Sequence, residues 1–405
     1  MTQLIKMAFR DLGRNRRRSF FSALAVGIGL ALLLLMASFI KGEMGSALEL
    51  AIRLQTGHIQ VRAESYDESK TSLKWEYLIE NPDQVAAQIA ALAPVKVATP
   101  RLFASGIVSV RDESAGVRVY GIDPLSEANA PYREGMVSGE FITPDDRDGI
   151  LIGQPLAEKL GLQTGDTLNL SVNTSNGDVD EQTFTVRGIY STQTNGFDTF
   201  TVFLPISKAQ AIGGAENHAS TILVLLNDTA ETDAVAAALK GPGFQVLTWK
   251  DMNELLLQTE QMANSYMGLF YLIVLGITAT VVINTLVMSV FERTREIGIL
   301  SAIGMRGRQI MTLFLAESSF LAVGGIVMGL ALGIAVIALL AHYGFNISQM
   351  GVTGIIIGNT IYPKLTVEDT VTLTIMAFVV TLLAGLYPAI IAGRMEPVDA
   401  LRAEK

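Results

Sequence analysis

Between residues 291 and 305 the chain reads FERTREIGILSAIGM, its densest run of chemically able side chains at ordered spacing. Glu292, Arg293, Arg295 and Glu296 open the run with both signs of charge. Ile297, Leu300 and Ile303 follow at helical spacing, with Gly298 among them. Side chains of these types do docking chemistry: the charges select a partner and fix its register, and the apolar ridge enters a groove. A loop that only held positive charge on one side of a membrane would need the arginines alone, not Glu292, Glu296 and the ridge. Candidates for covalent or metal chemistry are thin. His58, His218 and His342 stand far apart and outside any H-E-x-x-H pattern, so each reads as a packing or surface residue and no metal site is expected. The absence of cysteine removes thiolate ligands, cysteine nucleophiles and disulfides. No G-x-S-x-G marks a nucleophilic serine, and the acidic pairs Asp145-Asp146 and Asp178/Asp180 sit in turns beside Pro or Gly. No G-x-x-x-x-G-K-[ST] run is present to cradle nucleotide phosphates. No catalytic residue is assigned.

Four uncharged apolar stretches must position that segment, at 19–40, 266–291, 318–341 and 370–393. Each meets the ~20 residues needed to cross a hydrocarbon core. From 41 to 260 there are 16 Lys and Arg against 30 Asp and Glu, a net of −14; the two ends and the 292–308 loop carry 13 against 6, a net of +7. The positive-inside rule therefore places Arg14, Arg16, Arg17, Arg18, Arg293, Arg295, Arg306, Arg308, Arg394 and Arg402 in the cytoplasm, with both termini, and sends the acidic insert to the far side. The run at 14–18 borders a span, so it reads as a topology anchor, and the acidic insert repels polyanions; nucleic acid is excluded as a partner. The first stretch exceeds the ~7–15 apolar residues of a signal peptide, so it reads as a span.

Finer features follow from the spans. Ala23, Gly27 and Ala31, and Gly325, Gly329 and Gly333, repeat small residues four apart, which lets helices approach closely in lipid. They fit a seam between two copies or packing between spans of one chain. Glu317, just inside the third stretch, is costly in lipid and is expected to pair with an arginine of the 293–308 loop. Phe39, Tyr271 and Asn284 are cavity-lining candidates. Residues 4–18 read as an amphipathic surface helix with Leu4, Ile5, Ala8, Phe9 and Leu12 on one face. Helical character runs on past the first stretch to Gly57 and begins at 251 before the second, so both are expected to extend beyond the bilayer as stalks.

In the insert, strands at 58–63 and 95–110 with a helix at 82–92 form one α/β unit. Strands at 221–226 and 244–248 with a helix at 229–239 form another. A β-rich middle, about 112–205, lies between them, with strands at 149–152, 167–172, 183–190 and 200–204 and a hairpin turn at Asn176-Gly177. The domain scheme is therefore 1–18 surface helix; 19–56 first span and stalk; 57–250 external α+β domain; 251–291 stalk and second span; 292–308 docking segment; 309–341 third span; 342–369 external loop; 370–393 fourth span; and 394–405 tail.

The run ERTREIGILSAIG resembles the cytoplasmic coupling segment of FtsX/MacB-type ABC transporter permeases. Three further stretches agree: MAFRDLGRNRRRSFFSALAVGIG is similar to that family's N-terminal helix and first span, ILIGQPLAEKLGLQTGDTLNL to its periplasmic core, and LYPAIIAGRMEPVDALR to its C-terminal end. The resemblance implies a mechanical permease of the bacterial inner membrane, with four spans and a MacB-like periplasmic domain of porter-like α/β units and a β-rich inserted subdomain. It implies no catalysis and no cofactor in this chain, with ATP and Mg in a separate dimer of ABC ATPase subunits. A second permease chain, identical or paralogous, is implied, together with membrane lipids. MacB proper carries its ATPase ahead of the first span, where this chain has about 18 residues. That departure and VRGIYSTQTNGFDTFTVFLPISKAQ are similar to the lipoprotein-releasing permeases LolC and LolE, which implies lipoprotein cargo and a periplasmic chaperone. Efflux with a membrane-fusion protein and an FtsX-like scaffold that activates a cell-wall hydrolase stay open as alternatives.

Overall fold

The computed structural model describes residues 2–14, 16–67, 73–347 and 358–396, and the chain divides into two compact units. Part of the expected external loop (348–357) and of the tail (397–405, including Arg402) lies outside the described residues, as do the side chains of Leu4, Ile5 and Leu12. The first unit comprises 1–43, 259–345 and 361–405, the second 44–258 and 346–360.

In the first unit the apolar runs become helices, the structure that satisfies every backbone group internally when no water is at hand. Arg16–Ala51, Glu254–Glu292, Gly307–Tyr343 and Val367–Gly393 contain the stretches long and apolar enough to cross a membrane. Leu30, Leu33, Leu34 and Ala37 of the first span pack with Val274 and Leu275 of the second, Ile326 of the third, and Leu373 and Ala377 of the fourth. The small residues pack within one chain. A Cβ at Gly329 would lie 2.7 Å from the Gly27 carbonyl oxygen, one at Gly27 3.0 Å from that of Gly325, and one at Gly333 3.3 Å from Ala31 Cα. Backbone thus meets backbone between spans one and three. The surface helix, Thr2–Arg14, buries Ala8 and sets Phe9 against Phe320 with ring centroids 5.7 Å apart.

The second unit is built on one sheet of ten strands among the described residues: β1 Ile59–Ala63, β2 Val95–Val110, β3 Glu113–Ile122, β4 Met136–Gly139, β5 Gly149–Gly153, β6 Thr167–Asn173, β7 Val179–Tyr190, β8 Thr201–Pro205, β9 Thr221–Leu226 and β10 Phe244–Thr248. Strand order is β10-β1-β9-β2-β3-β8-β5-β7-β4, and β6 joins β2 to β7. Strand β2 belongs to two layers. Its first half pairs with β9 (Thr99 opposite Leu223), and its second half pairs with β6 (Val108 opposite Leu170) while β3 follows it throughout (Ala104 opposite Val119).

Strands β2, β3, β8, β5, β7 and β6 pair in turn and return to β2, closing on themselves. Their alternate residues fill the interior, with Ala104, Val108, Ala115, Val117, Ile150, Ile152, Leu168, Leu170, Phe184, Val186, Val202 and Leu204 buried together. The β-rich subdomain expected over 112–205 therefore starts earlier, because Gly106–Ser109 close the ring against β6. Strand β3 was not among the expected strands, although Ala115, Val117 and Val119 alternate with Gly116 and Arg118. The other half of the sheet is covered by the helices Pro82–Ala90 and Thr232–Leu239, whose Ala86, Ile89, Val235 and Ala236 pack on Ile59, Val61, Ile222 and Val224.

An aromatic core lies on the opposite face of the closed strands. Tyr120, Tyr132, Tyr190, Phe197 and Phe203 surround Leu54, which sits in one turn of π-helix, Ile52–Thr56, after the first long helix. Arg101, wholly buried, donates from Nη1 to the Leu54 carbonyl oxygen at 3.2 Å and from Nη2 to Asn129 Oδ1 at 3.0 Å; Tyr132 Oη also donates to the Leu54 carbonyl. Burial pushes the Tyr132 hydroxyl up to about 12, which keeps it protonated as a donor.

Two predictions follow. A side chain at Gly329 meets fixed backbone, so Gly329→Val should sharply reduce the folded fraction in detergent on size-exclusion chromatography, while Gly324→Val, whose Cβ would lie 3.9 Å from Ala23 Cβ, should not. Asp198 is also wholly buried, and burial raises its carboxyl to about 6 despite hydrogen bonds from Thr192 N (2.9 Å) and Thr192 Oγ1 (2.7 Å). The folded state then holds this proton more tightly than the unfolded chain. Its contribution is full below the ordinary carboxylate value and falls as pH rises to about 6. Relative to Asp198→Asn, the wild type should lose up to about 3 kcal/mol between about pH 4 and pH 6 by chemical denaturation; parallel pH profiles would refute the assignment.

Candidate functional site

The run at 291–305 folds as a short helix, Thr294–Ala302, directly after the second span ends at Glu292. Thr294 Oγ1 donates to the carbonyls of Phe291 (2.9 Å) and Val290 (3.3 Å), which supports the corner. At the other end Gly304 takes φ +100°, a left-handed conformation suited to glycine, and stops the helix. Arg306 N then donates to Gln309 Oε1 at 2.9 Å as the third span begins at Gly307.

The expected docking residues divide between two faces. Arg293, Ile297 and Gly298 point inward. Ile297 is buried with Val290, Ile310, Phe314, Ala389 and Ala392, which belong to spans two, three and four. Arg293, 6% exposed, donates from Nη1 to Glu317 Oε1 at 3.0 Å, and Glu317 is 4% exposed. These three residues anchor the helix to its own chain and are withdrawn from any docking surface. Positions 293 and 297 lie four apart, on one helical face, and that face is taken by the spans. Leu300 is half-buried. Glu292, Arg295, Glu296, Ile299 and Ile303 are exposed, Ile303 at 79%. The ridge Ile297, Leu300, Ile303 is therefore split, because the helix ends at Ala302 and leaves Ile303 projecting.

The two exposed carboxylates meet the N-terminal basic run. Arg14 Nη2 bonds both oxygens of Glu296, at 2.7 and 2.8 Å, and Arg18 Nη1 pairs with Glu292. Sequence reading treats Arg14 and Arg18 as topology charges only, and pairings across more than 270 residues leave no local pattern to find. Exposed pairs of this kind contribute roughly 0–1 kcal/mol each, so they orient the segment without locking it.

Phe39, Tyr271 and Asn284 do not come together around one cavity. Phe39 packs on Phe345 with centroids 5.6 Å apart, and Tyr271 is half-buried against the core of the spans. Asn284 lies about 20 Å further along the same helix as Tyr271 and is exposed. At the far end of the first span Lys41 Nζ pairs with Asp369 Oδ2 at 3.0 Å.

Residues 19–241 match the family model of the MacB-like periplasmic core domain, and residues 268–397 that of the FtsX-like permease C-terminal domain. Three relatives show the range. The lipoprotein-releasing system transmembrane protein LolC of Neisseria meningitidis is 22% identical over 98% of this chain and 98% of its own length. The macrolide export ATP-binding/permease protein MacB of Hyphomonas neptunium is 27% identical over 100% of this chain and 61% of its own. An uncharacterized ABC transporter permease of Methanocaldococcus jannaschii is 27% identical over 66% of this chain and 65% of its own. The chain thus spans less than two thirds of the latter two.

The buried ion pair carries a prediction of its own. Arg293→Met and Glu317→Leu should each cost about 3–5 kcal/mol, because each strands a charge, whereas the double variant should recover most of that loss. Thermal unfolding in detergent measures all three; additive losses would show that the two residues act separately.

Proposed function

The chain belongs to the FtsX/MacB-type ABC transporter permeases, and from that premise we propose that it is the membrane subunit through which a separate ATPase drives an extracytoplasmic domain. The observation that carries the reading is the helix Thr294–Ala302. Its inner face is anchored by Arg293–Glu317 and Ile297, and its outer face offers Glu292, Arg295, Glu296 and Ile303. A partner that bound this face would act directly on spans two and three. The reading sets the helix and both termini in the cytoplasm of a bacterial inner membrane, and the arginine distribution supports it.

Two of the helices suit mechanical work. Arg16–Ala51 and Glu254–Glu292 each contribute residues to both units, and at 36 and 39 residues they are about 54 and 58 Å long, well beyond a core of ~30 Å. ATP and Mg would be held by an ATPase dimer. A second permease chain is supported by Asn284, exposed on the second span, since an amide facing lipid is costly and finds partners on another helix.

Release of lipoproteins from the membrane, with a chaperone to receive them, is the transport reaction proposed. The end-to-end match to a lipoprotein-releasing protein supports it. The physical need is plain: each buried acyl CH₂ holds a lipoprotein in the bilayer by about 0.8 kcal/mol. Macrolide efflux is the second reading, favoured by the higher identity to a macrolide exporter over the whole of this chain.

Reconstitution tests the coupling face. Glu296→Lys and Ile303→Asp should each lower permease-stimulated ATP hydrolysis by about tenfold, toward that of the ATPase alone, with insertion and abundance unchanged. Arg14→Gln opens the same ion pair from its other side and should leave most of the stimulation. Retained stimulation in the first two variants would sink the assignment, and proteoliposome assays with an acylated protein or a macrolide would separate the cargo readings.

A further inference from the structure

We propose that the connection between the third and fourth spans is a releasable latch on the extracytoplasmic domain: Asn359 clips it to a seat formed by residues 191–195, and the clip opens when the domain is driven. The inference deepens the mechanical reading and rests on it for the driving force. Both partners belong to the second unit, which takes in residues 346–360 as well as 44–258. The helix Gly307–Tyr343 precedes the connection and Val367–Gly393 follows it. The connection is thus tied to the domain by hydrogen bonds, whereas the two long helices run into it along the chain.

Asn359 is the hub of the clip. Its backbone N–H donates to the Gln193 carbonyl oxygen at 2.8 Å, and its Nδ2 donates to Asn195 Oδ1 at 3.0 Å. Its own carbonyl oxygen accepts from Ile347 N at 2.8 Å. One residue therefore ties both described ends of the connection, 347 and 359, to the seat. A Cβ at the neighbouring Gly358 would lie 3.2 Å from Leu50 Cδ1, so the connection also runs against the end of the first long helix. Leu50 packs in turn on the aromatic core around Leu54.

The seat is rigid and the clip is not. Gln193 takes φ +57°, a left-handed conformation that residues with a side chain seldom adopt. Asp198, wholly buried, holds it there. Its carboxylate accepts from Thr192 N (2.9 Å), Thr192 Oγ1 (2.7 Å) and Ser191 Oγ (3.4 Å), and Ser191 Oγ accepts from Gln193 N at 3.2 Å. The Asp198 backbone is itself pressed against β5, where Gly153 leaves no room for a Cβ beside the Asp198 carbonyl oxygen. Gln193 and Asn195, by contrast, are exposed, and both bonds of the clip join neutral groups. Two such bonds favour the closed state by only about tenfold to a hundredfold. A preformed seat under a weak clip lets the contact open and reclose in the same place, and whatever moves the domain shifts that equilibrium.

The chain has no cysteine, so an introduced pair reads the latch directly. Asn195→Cys/Asn359→Cys, in the full-length chain in membranes, should close to a disulfide under mild oxidation, because these two side chains touch. The backbone bond from residue 359 to Gln193 remains to hold the pair in place. Ser191→Ala removes the acceptor for Gln193 N and should slow closure by about fivefold. With the ATPase present, the closed disulfide should lower permease-stimulated hydrolysis by about tenfold, and dithiothreitol should restore it. Glu296→Lys in the same background should lose stimulation with the crosslink intact, so a failed docking face and a failed latch give different results. A pair that does not crosslink, closure indifferent to Ser191→Ala, or full stimulation with the disulfide closed would each overturn the proposal.

Discussion

A guanidinium and a carboxylate that have both left water hold one end of the four spans of this permease together. Arg293 and Glu317 are 3.0 Å apart and almost wholly enclosed. Such a pair seldom adds net stability over an apolar equivalent, because both charges must be desolvated. What it adds is position. A charge buried there must keep its ion pair, so the pairing with Glu317 fixes how the helix that follows Arg293 meets the third span. Ile297, one turn on, then falls into the pocket formed by Val290, Ile310, Phe314, Ala389 and Ala392. The exposed residues Glu292, Arg295, Glu296 and Ile303 inherit their directions from that anchor.

The second unit solves a related problem by hydrogen bonding. A helix that ends inside a folded domain leaves carbonyl oxygens without intrahelical partners. Here the end is a turn of π-helix, and the Leu54 carbonyl accepts from both Arg101 and Tyr132 inside an aromatic core. Arg101 lies on β2, the strand shared by the closed ring and the sheet that carries β1, β9 and β10. Whatever displaces Leu54 therefore acts on the strand common to both layers.

Much of this was legible in the sequence, for reasons that differ by element. The four spans follow from length and lack of charge, which nothing in tertiary packing can override. The partner of Glu317 was legible because a lone acid at the edge of a span has few ways to be satisfied, and the arginine loop is next to it in sequence. What failed were inferences about direction. Periodicity placed Ile297, Leu300 and Ile303 on one ridge, but it cannot say which side of a nine-residue helix faces its own chain or where the helix ends. The early start of the β-rich subdomain was hidden because β2 reads as one strand; only pairing with β6 shows that its second half belongs elsewhere.

The contrast between buried and exposed charge bears on how a coupling face can work. Arg14–Glu296 and Arg18–Glu292 are in reach of water, so each is held by little more than thermal energy and is weakened further by salt. A partner bearing its own arginines or carboxylates can exchange with them at almost no net cost in free energy. Arg293–Glu317 has no such freedom, since opening it would strand two charges away from solvent. The outer pairs are therefore the replaceable contacts and the inner pair is the fixed one. If the proposed ATPase docks on this face, that division is what cyclic binding and release would require: weak polar contacts that trade partners, mounted on an anchor that does not.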